Sequence, residues 1–89
     1  MKHVCRFLFD EDVDSRVIES EIIQAILTTE DVFGQPKVRL SASYLVSKNK
    51  AVIDVTDEVG EHIAKVFTGR IGRKVGHNCF SVERITSEN

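Results

Sequence analysis

Along this chain the spacing of apolar residues switches between alternate positions and every third or fourth position, and the order of those switches is what most limits the fold. Residues 3 to 9, His-Val-Cys-Arg-Phe-Leu-Phe, are rich in β-branched and aromatic types and stop at Asp10-Glu11-Asp12. They predict a strand, and because both of its faces are largely apolar its expected place is the middle of a sheet. Ile18, Ile22, Ala25 and Ile26 then recur at helical spacing behind Asp14 or Ser15 as N-cap, with Glu19, Glu21 and Gln24 on the wet side. The pattern predicts a helix over about residues 15 to 29.

Gly34 and Pro36 interrupt the chain, after which Val38, Leu40, Ala42, Tyr44 and Val46 alternate with Arg39, Ser41 and Ser43. This period of two predicts a half-buried strand. Ser47-Lys48-Asn49-Lys50 reads as a polar turn whose asparagine tolerates a left-handed conformation, and Ala51 to Val55 resumes the strand pattern, so the pair is expected to form a hairpin. Thr56 is the expected cap of a second helix with Asp57 and Glu58 in its first turn and Val59, Ile63, Val66 and Phe67 on its inner face. Gly69 or Gly72 is expected to end it. A loop of glycines and bases follows, then a last strand from Cys79 to Ile85, with Phe80, Val82 and Ile85 placed in one environment and Ser81 and Glu83 in the other. The polar tail from Thr86 to Asn89 is expected to fray.

The order β-α-β-β-α-β, joined by right-handed crossovers, resembles the split βαβ or ferredoxin-like sandwich. That resemblance implies an α+β domain over residues 1–89, with two helices on one face of a four-stranded antiparallel sheet of order 4-1-3-2. It extends to the fold alone, and this fold hosts many unrelated functions.

Composition narrows the class of protein. With 42% hydrophobic and 29% charged residues the chain has the apolar content for a core. Small α+β domains often carry more apolar sheet surface than their helices cover, so a homo-oligomer is expected, a dimer or larger. The net charge of -2 argues against a dedicated nucleic-acid binder. Its distribution is uneven: residues 1–31 carry three bases against eight acids, a net of -5, and residues 32–89 carry nine bases against six acids, a net of +3. The first apolar run ends at Phe9 before a set of acids and no small-residue cleavage site, so it reads as a strand and not a signal peptide. No stretch has the roughly 20 apolar residues that span a bilayer. The two cysteines are too few for a disulfide framework, so both thiols are expected reduced in a cytoplasm, with no membrane contact and no cofactor.

This topology gathers Asp10 to Asp14, the 48–50 turn and the stretch from Gly69 to Asn78 at one edge of the sheet. Arg70, Arg73, Lys74, His77 and Asn78 there form a candidate site for a small anionic ligand, since three glycines would allow close backbone approach while the side chains donate. The competing reading is that these bases complement a helix C-terminus and pair with the acidic loop beside them. The glycine spacing fits neither GxxxxGK[ST] nor GxGxxG. Asp10 to Asp14 lack the glycine and distal glutamate of an EF-hand loop, and N-capping explains acids before a helix. His3-x-Cys5 and His77-x-Cys79 would lie roughly 15 to 20 Å apart at about 3.3 Å per residue, too far for one metal site. No metal ligands are assigned.

The sheet face turned away from the helices is the other candidate. Arg6, Leu8, Arg39, Leu45, Val52, Asp54 and Glu83 are expected on it, together with Val4, Ser41, Ser43 and Ser81. Opposite charges around an apolar patch suit an isologous dimer, while the competing reading pairs the charges within one subunit. RNA-recognition motifs share this architecture but stack bases on aromatics of the central strands, and here Ala51 to Val55 offers none. Reading of RNA is not expected, and the Cys-x-x-Cys of copper-carrying domains of this fold is missing. The leading expectation is therefore a homo-oligomeric binding or regulatory module. A binder of nucleic acid or another anionic partner comes second. A small enzyme comes third, for which Asp54, His77 and Cys79 are the only residues to name and no catalytic role is assigned.

Overall fold

The computed structural model describes residues 2–87. Strand β1 (Lys2–Phe9) leads into helix α1 (Ser15–Phe33), a short helix α2 (Gln35–Ser41) and the hairpin of β2 (Tyr44–Ser47) and β3 (Lys50–Asp54). Helix α3 (Glu58–Val75), a 3-10 turn over His77–Cys79 and strand β4 (Phe80–Ser87) complete the chain. The four strands form one antiparallel sheet in the order β2-β3-β1-β4, or 4-1-3-2 counted from the other edge. The architecture is α+β with three helices where two were expected.

The extra helix comes from the stretch read as alternating. Val38 and Ala42 are one helical turn apart as well as an even number of residues apart, so a period of two and a period near four both fit. Pro36 in the first turn favours helix, and Gly34 at φ 89° lets the chain reverse between α1 and α2. Val38 is fully buried and the neighbouring Leu40, expected on the same strand face, is 89% exposed. β2 is left with four residues. Arg39 and Ser41 therefore lie on α2 and not on the sheet, and Arg39 pairs with Glu30 of α1 at 3.4 Å.

The second long helix is also longer than the glycines suggested. Gly69 and Gly72 sit inside α3, which ends at Gly76 with φ 96°. Its N-cap is Asp57, whose carboxylate accepts from the Gly60 N–H at 3.0 Å, and not Thr56. Gly60 and Gly72 mark close approaches: a Cβ on Gly60 would stand 1.9 Å from the Asp54 carbonyl oxygen, and one on Gly72 would stand 2.0 Å from the His77 ring. Most of the stretch from Gly69 to Asn78 is thus helix.

Side-chain alternation along the sheet follows from the register. Cys5, Phe7 and Phe9 of β1 and Ala51 and Ile53 of β3 point into the core, where Phe7 meets Phe67 of α3 edge-on at 4.9 Å. On β4, Phe80 and Val82 share that face, but Ile85 stands opposite Val4 and belongs to the open face. The strand continues through Thr86 and Ser87, so of the tail expected to fray these two belong to β4, and residues 88 and 89 lie outside the described residues. One end of the sheet is knit together by backbone and by Asn49 at φ 59°. The Phe9 N–H donates to the Asn49 carbonyl, the Asp10 N–H to the Cys79 carbonyl, and Asn49 Nδ2 to the Asp10 carbonyl.

Candidate functional site

Helices α1 and α3 lie side by side on the sheet, and their facing flanks enclose a polar groove. Because a helix that packs on both a sheet and a neighbouring helix buries more than one stripe, the residue beside the core stripe is also covered. On α1 that residue is Glu21, expected on the wet side but only 7% exposed. Burying a carboxylate is costly unless a charge meets it, and Arg70 Nε of α3 donates to its Oε1 at 2.8 Å. Arg70 is therefore committed within the protein, to α1 and not to the acidic loop. Asp14 of that loop caps α1 and pairs with Arg16 at 2.9 Å. Hydrogen bonds from Arg16 hold the Asp14 carboxyl below the usual carboxylate range.

Around the Glu21–Arg70 pair, Arg73 and Lys74 line a cavity of about 200 Å³. It adjoins one of about 400 Å³ bounded by Asp14, Arg16, Val17, Ser20, Glu21 and Lys74. Four cations and two carboxylates border this region. Among the described residues neither Arg73 nor Lys74 meets a carboxylate. The structure thus brings together Arg70, Arg73 and Lys74. His77 and Asn78 border neither cavity: they lie in the 3-10 turn, with His77 against the bare backbone of Gly72 and its ring 6.1 Å from Phe80. Arg16, Ser20 and Glu21 were not singled out from the sequence. The signal for Glu21 is the row Val17, Glu21, Ala25, which runs one helical turn at a time beside the core stripe, and Arg16 and Ser20 form the next row outward.

The open face of the sheet carries Val4, Arg6 and Leu8 of β1, Leu45 of β2, Val52 and Asp54 of β3, and Ser81, Glu83 and Ile85 of β4. Of the residues expected on this face, Arg39 and Ser41 are elsewhere, on α2. Arg6 donates to Glu83 across the β1–β4 pair at 3.0 Å, and Lys2 lies 3.8 Å from Asp54. Arg6, Glu83, Lys2 and Asp54 are therefore matched within one subunit, while Lys50, opposite Leu8 on the same face, meets no carboxylate among the described residues. Between them Leu45 is 65% exposed, and a shallow depression of about 240 Å³ is bounded by Val4, Leu45 and Val52 among others.

The residues named for an enzyme do not meet. Cys79 bonds through its carbonyl to Asp10 at one end of β1, and Asp54 stands opposite Val4 near the other. Six residues of strand separate them, about 20 Å. Burial works to raise the Asp54 carboxyl, but hydrogen bonds from Thr56 and the charge of Lys2 outweigh it and leave Asp54 below its ordinary value. Burial also pushes the Cys5 thiol up, against the nearby Arg84, so a thiolate nucleophile is disfavoured there. His62 serves packing: the buried Thr29 hydroxyl donates to the Ala25 carbonyl at 2.8 Å, so its oxygen accepts from His62 Nδ1–H, also at 2.8 Å. Among the described residues no three His, Cys, Asp or Glu side chains gather as a metal site, and no helix is long and apolar enough to cross a membrane. Set against models of known protein families, curated proteins and solved structures, the chain matches none.

Proposed function

We propose that this chain is a small self-assembling binding module of the ferredoxin-like, split βαβ type, which associates through the open face of its sheet. The observation that supports this reading is an apolar patch of Val4, Leu8, Leu45, Val52 and Ile85 beside which Arg6–Glu83 and Lys2–Asp54 are already paired inside the subunit, with Lys50 at its rim. Covering such a patch gains the hydrophobic term while the two ion pairs keep their partners and the long Lys50 side chain reaches out to water at the rim. The molecule is a slab of 34 × 31 × 18 Å. One broad face is therefore on the order of 1,000 Å², enough for one side of a standard interface.

In the same reading the α1–α3 groove takes a small anionic ligand, with Arg73 and Lys74 as the donors not already engaged and Arg70 held in place by Glu21. A second reading, an anionic polymer such as nucleic acid, draws on the same two residues. Few phosphates would be met, so binding would be weak and would lose affinity with salt at a slope of about 2.

Sedimentation equilibrium of the wild type and of Val52→Glu and Leu45→Glu tests the assembly. Dissociation at least about tenfold easier in both variants is expected. A wild type that stays monomeric, or variants that associate as tightly as it does, would overturn the open-face reading. Titration with inorganic pyrophosphate, followed by amide NMR shifts in the wild type and in Arg73→Glu/Lys74→Glu, tests the groove. Shifts confined to residues 14–21 and 70–74 and lost in the variant are expected.

A further inference from the structure

Strand β4 is the long free edge of the sheet. It pairs with β1 without a break from Phe80 to Ser87 and contains no proline, whereas the other edge, β2, spans only four residues. A long, regular edge leaves a row of backbone donors and acceptors without partners unless something covers it. The bond from the Asp10 N–H to the Cys79 carbonyl fixes which groups those are. Bonded pairs alternate along an antiparallel ladder, so Ser81 and Glu83 direct their backbone groups to β1, and Phe80, Val82 and Arg84 direct theirs outward.

The side chains of the same three residues lie on the helix side of the sheet. Val82 stands opposite the fully buried Phe7 and is nonetheless 45% exposed, because the helix layer ends short of β4. Beside it runs a groove of about 380 Å³ with Cys5, Phe7 and Val82 along its floor and Glu61, Lys65 and Arg84 on its rim. Outward backbone groups and an adjoining apolar groove are the two features that strand addition uses, the first for bonding and the second for alternate side chains.

We propose that β4 pairs antiparallel with β4 of a second copy about a two-fold axis through Val82, so that the sheet continues across the subunit boundary. Length and charge leave two registers, centred on Val82 and on Ile85, and the apolar groove beside Val82 favours the first. Centring on Val82 sets Phe80 against the second copy's Arg84 and Ser81 against its Glu83, so no like charges are opposed. Moving the centre to Glu83 or to Arg84 sets that residue against itself. Moving it to Ser81 leaves only Phe80 to Val82 paired. A centre between two residues sets outward backbone groups against groups already bonded to β1. On the helix side Glu61 stays paired with Arg84 of its own strand edge, and the grooves beside the two Val82 side chains face each other across the axis.

This interface is independent of the open face, and one pair of measurements separates them. Val82→Pro deletes an outward N–H while leaving every β1–β4 bond in place, a substitution that edge strands accept. By sedimentation equilibrium it is expected to weaken one association step on the order of 100-fold, as loss of the two central bonds and their spacing implies. Val52→Glu should leave that step unchanged. Amide exchange on the wild type needs no variant: Val82 and Arg84 should be protected comparably to Ser81 and Glu83. Rapid exchange at Val82 and Arg84 in the wild type, or an unchanged association in a folded Val82→Pro, would overturn the proposal. Protection of these amides only after an extended peptide of another protein is added would assign the edge to that partner and likewise overturn pairing with a second copy.

Discussion

Replacing Gly60 by alanine adds one methyl group at the tightest contact between α3 and the sheet. The new Cβ would stand 1.9 Å from the Asp54 carbonyl oxygen and 3.0 Å from the Val55 Cα, all backbone atoms of the β3 end that cannot rotate aside. Ordinary contact needs about 3.4 Å or more, so the first turn of α3 has to retreat by roughly 1.5 Å. Overpacking of this kind typically costs about 1–3 kcal/mol, and a backbone clash belongs at the upper end. The retreat also stretches the 3.0 Å bond from the Gly60 N–H to Asp57, worth about 1 kcal/mol as an N-cap. Alanine returns about 1 kcal/mol of helix propensity. The expected net loss is about 3 kcal/mol, a fall in Tm of about 10–25 °C for a domain of this size. The same substitution elsewhere in α3 should behave differently. At Gly69 the Cβ meets only Arg73 Nη1 at 3.4 Å, so a gain of up to about 1 kcal/mol is expected. At Gly72 it meets the exposed His77 ring, which can swing away, and the lost packing should roughly cancel the propensity gain. Urea unfolding of the three variants, followed by circular dichroism, measures this series. Equal effects at Gly60 and Gly69, or a Gly60→Ala within about 0.5 kcal/mol of wild type, would refute the assignment of close approach as the reason for glycine.

Two further predictions concern buried and charged groups. Thr29→Val removes the hydroxyl that the His62 Nδ1–H donates to and should cost about 1–3 kcal/mol in urea unfolding, with Thr29→Ser restoring most of it. The Asp54 carboxyl is held below its ordinary value in the folded protein, so its charged form adds stability at neutral pH. That contribution begins to fade as pH falls below about 4, where the unfolded chain takes up the proton first, and is gone below the folded value. Asp54→Asn should therefore be less stable at pH 7 and lose less stability on acidification, and parallel pH profiles for variant and wild type would contradict this.

Periodicity alone determined most of the architecture here. A central β1 followed by α1, a hairpin turning on Asn49 and a last strand alternating through Phe80 and Val82 are all consequences of where apolar residues recur, because a segment with one apolar stripe has one stable way to bury it. Most residues of the open face were equally legible wherever the strand itself was, since alternation fixes the side on which each residue stands; Ile85, three residues from Val82, is expected on the helix side only because it is apolar, against that alternation. What local pattern could not decide were the segments where two periods fit or where a neighbour changes the meaning of a residue. Val38 and Ala42 satisfy both helix and strand spacing, and packing of Val38 in the core beneath α2 settled it as helix, taking Arg39 off the sheet. Gly69 and Gly72 look like breakers in isolation, yet α3 continues through them because its burial on the sheet outweighs their propensity cost, and His77 fills the space over Gly72. Glu21 looks solvated on a single helix and becomes buried only when α3 lies alongside and brings Arg70 to it. Which charges are already spent inside the fold, and which remain for a partner, depends on contacts between segments far apart in the chain, and only the tertiary structure could decide that.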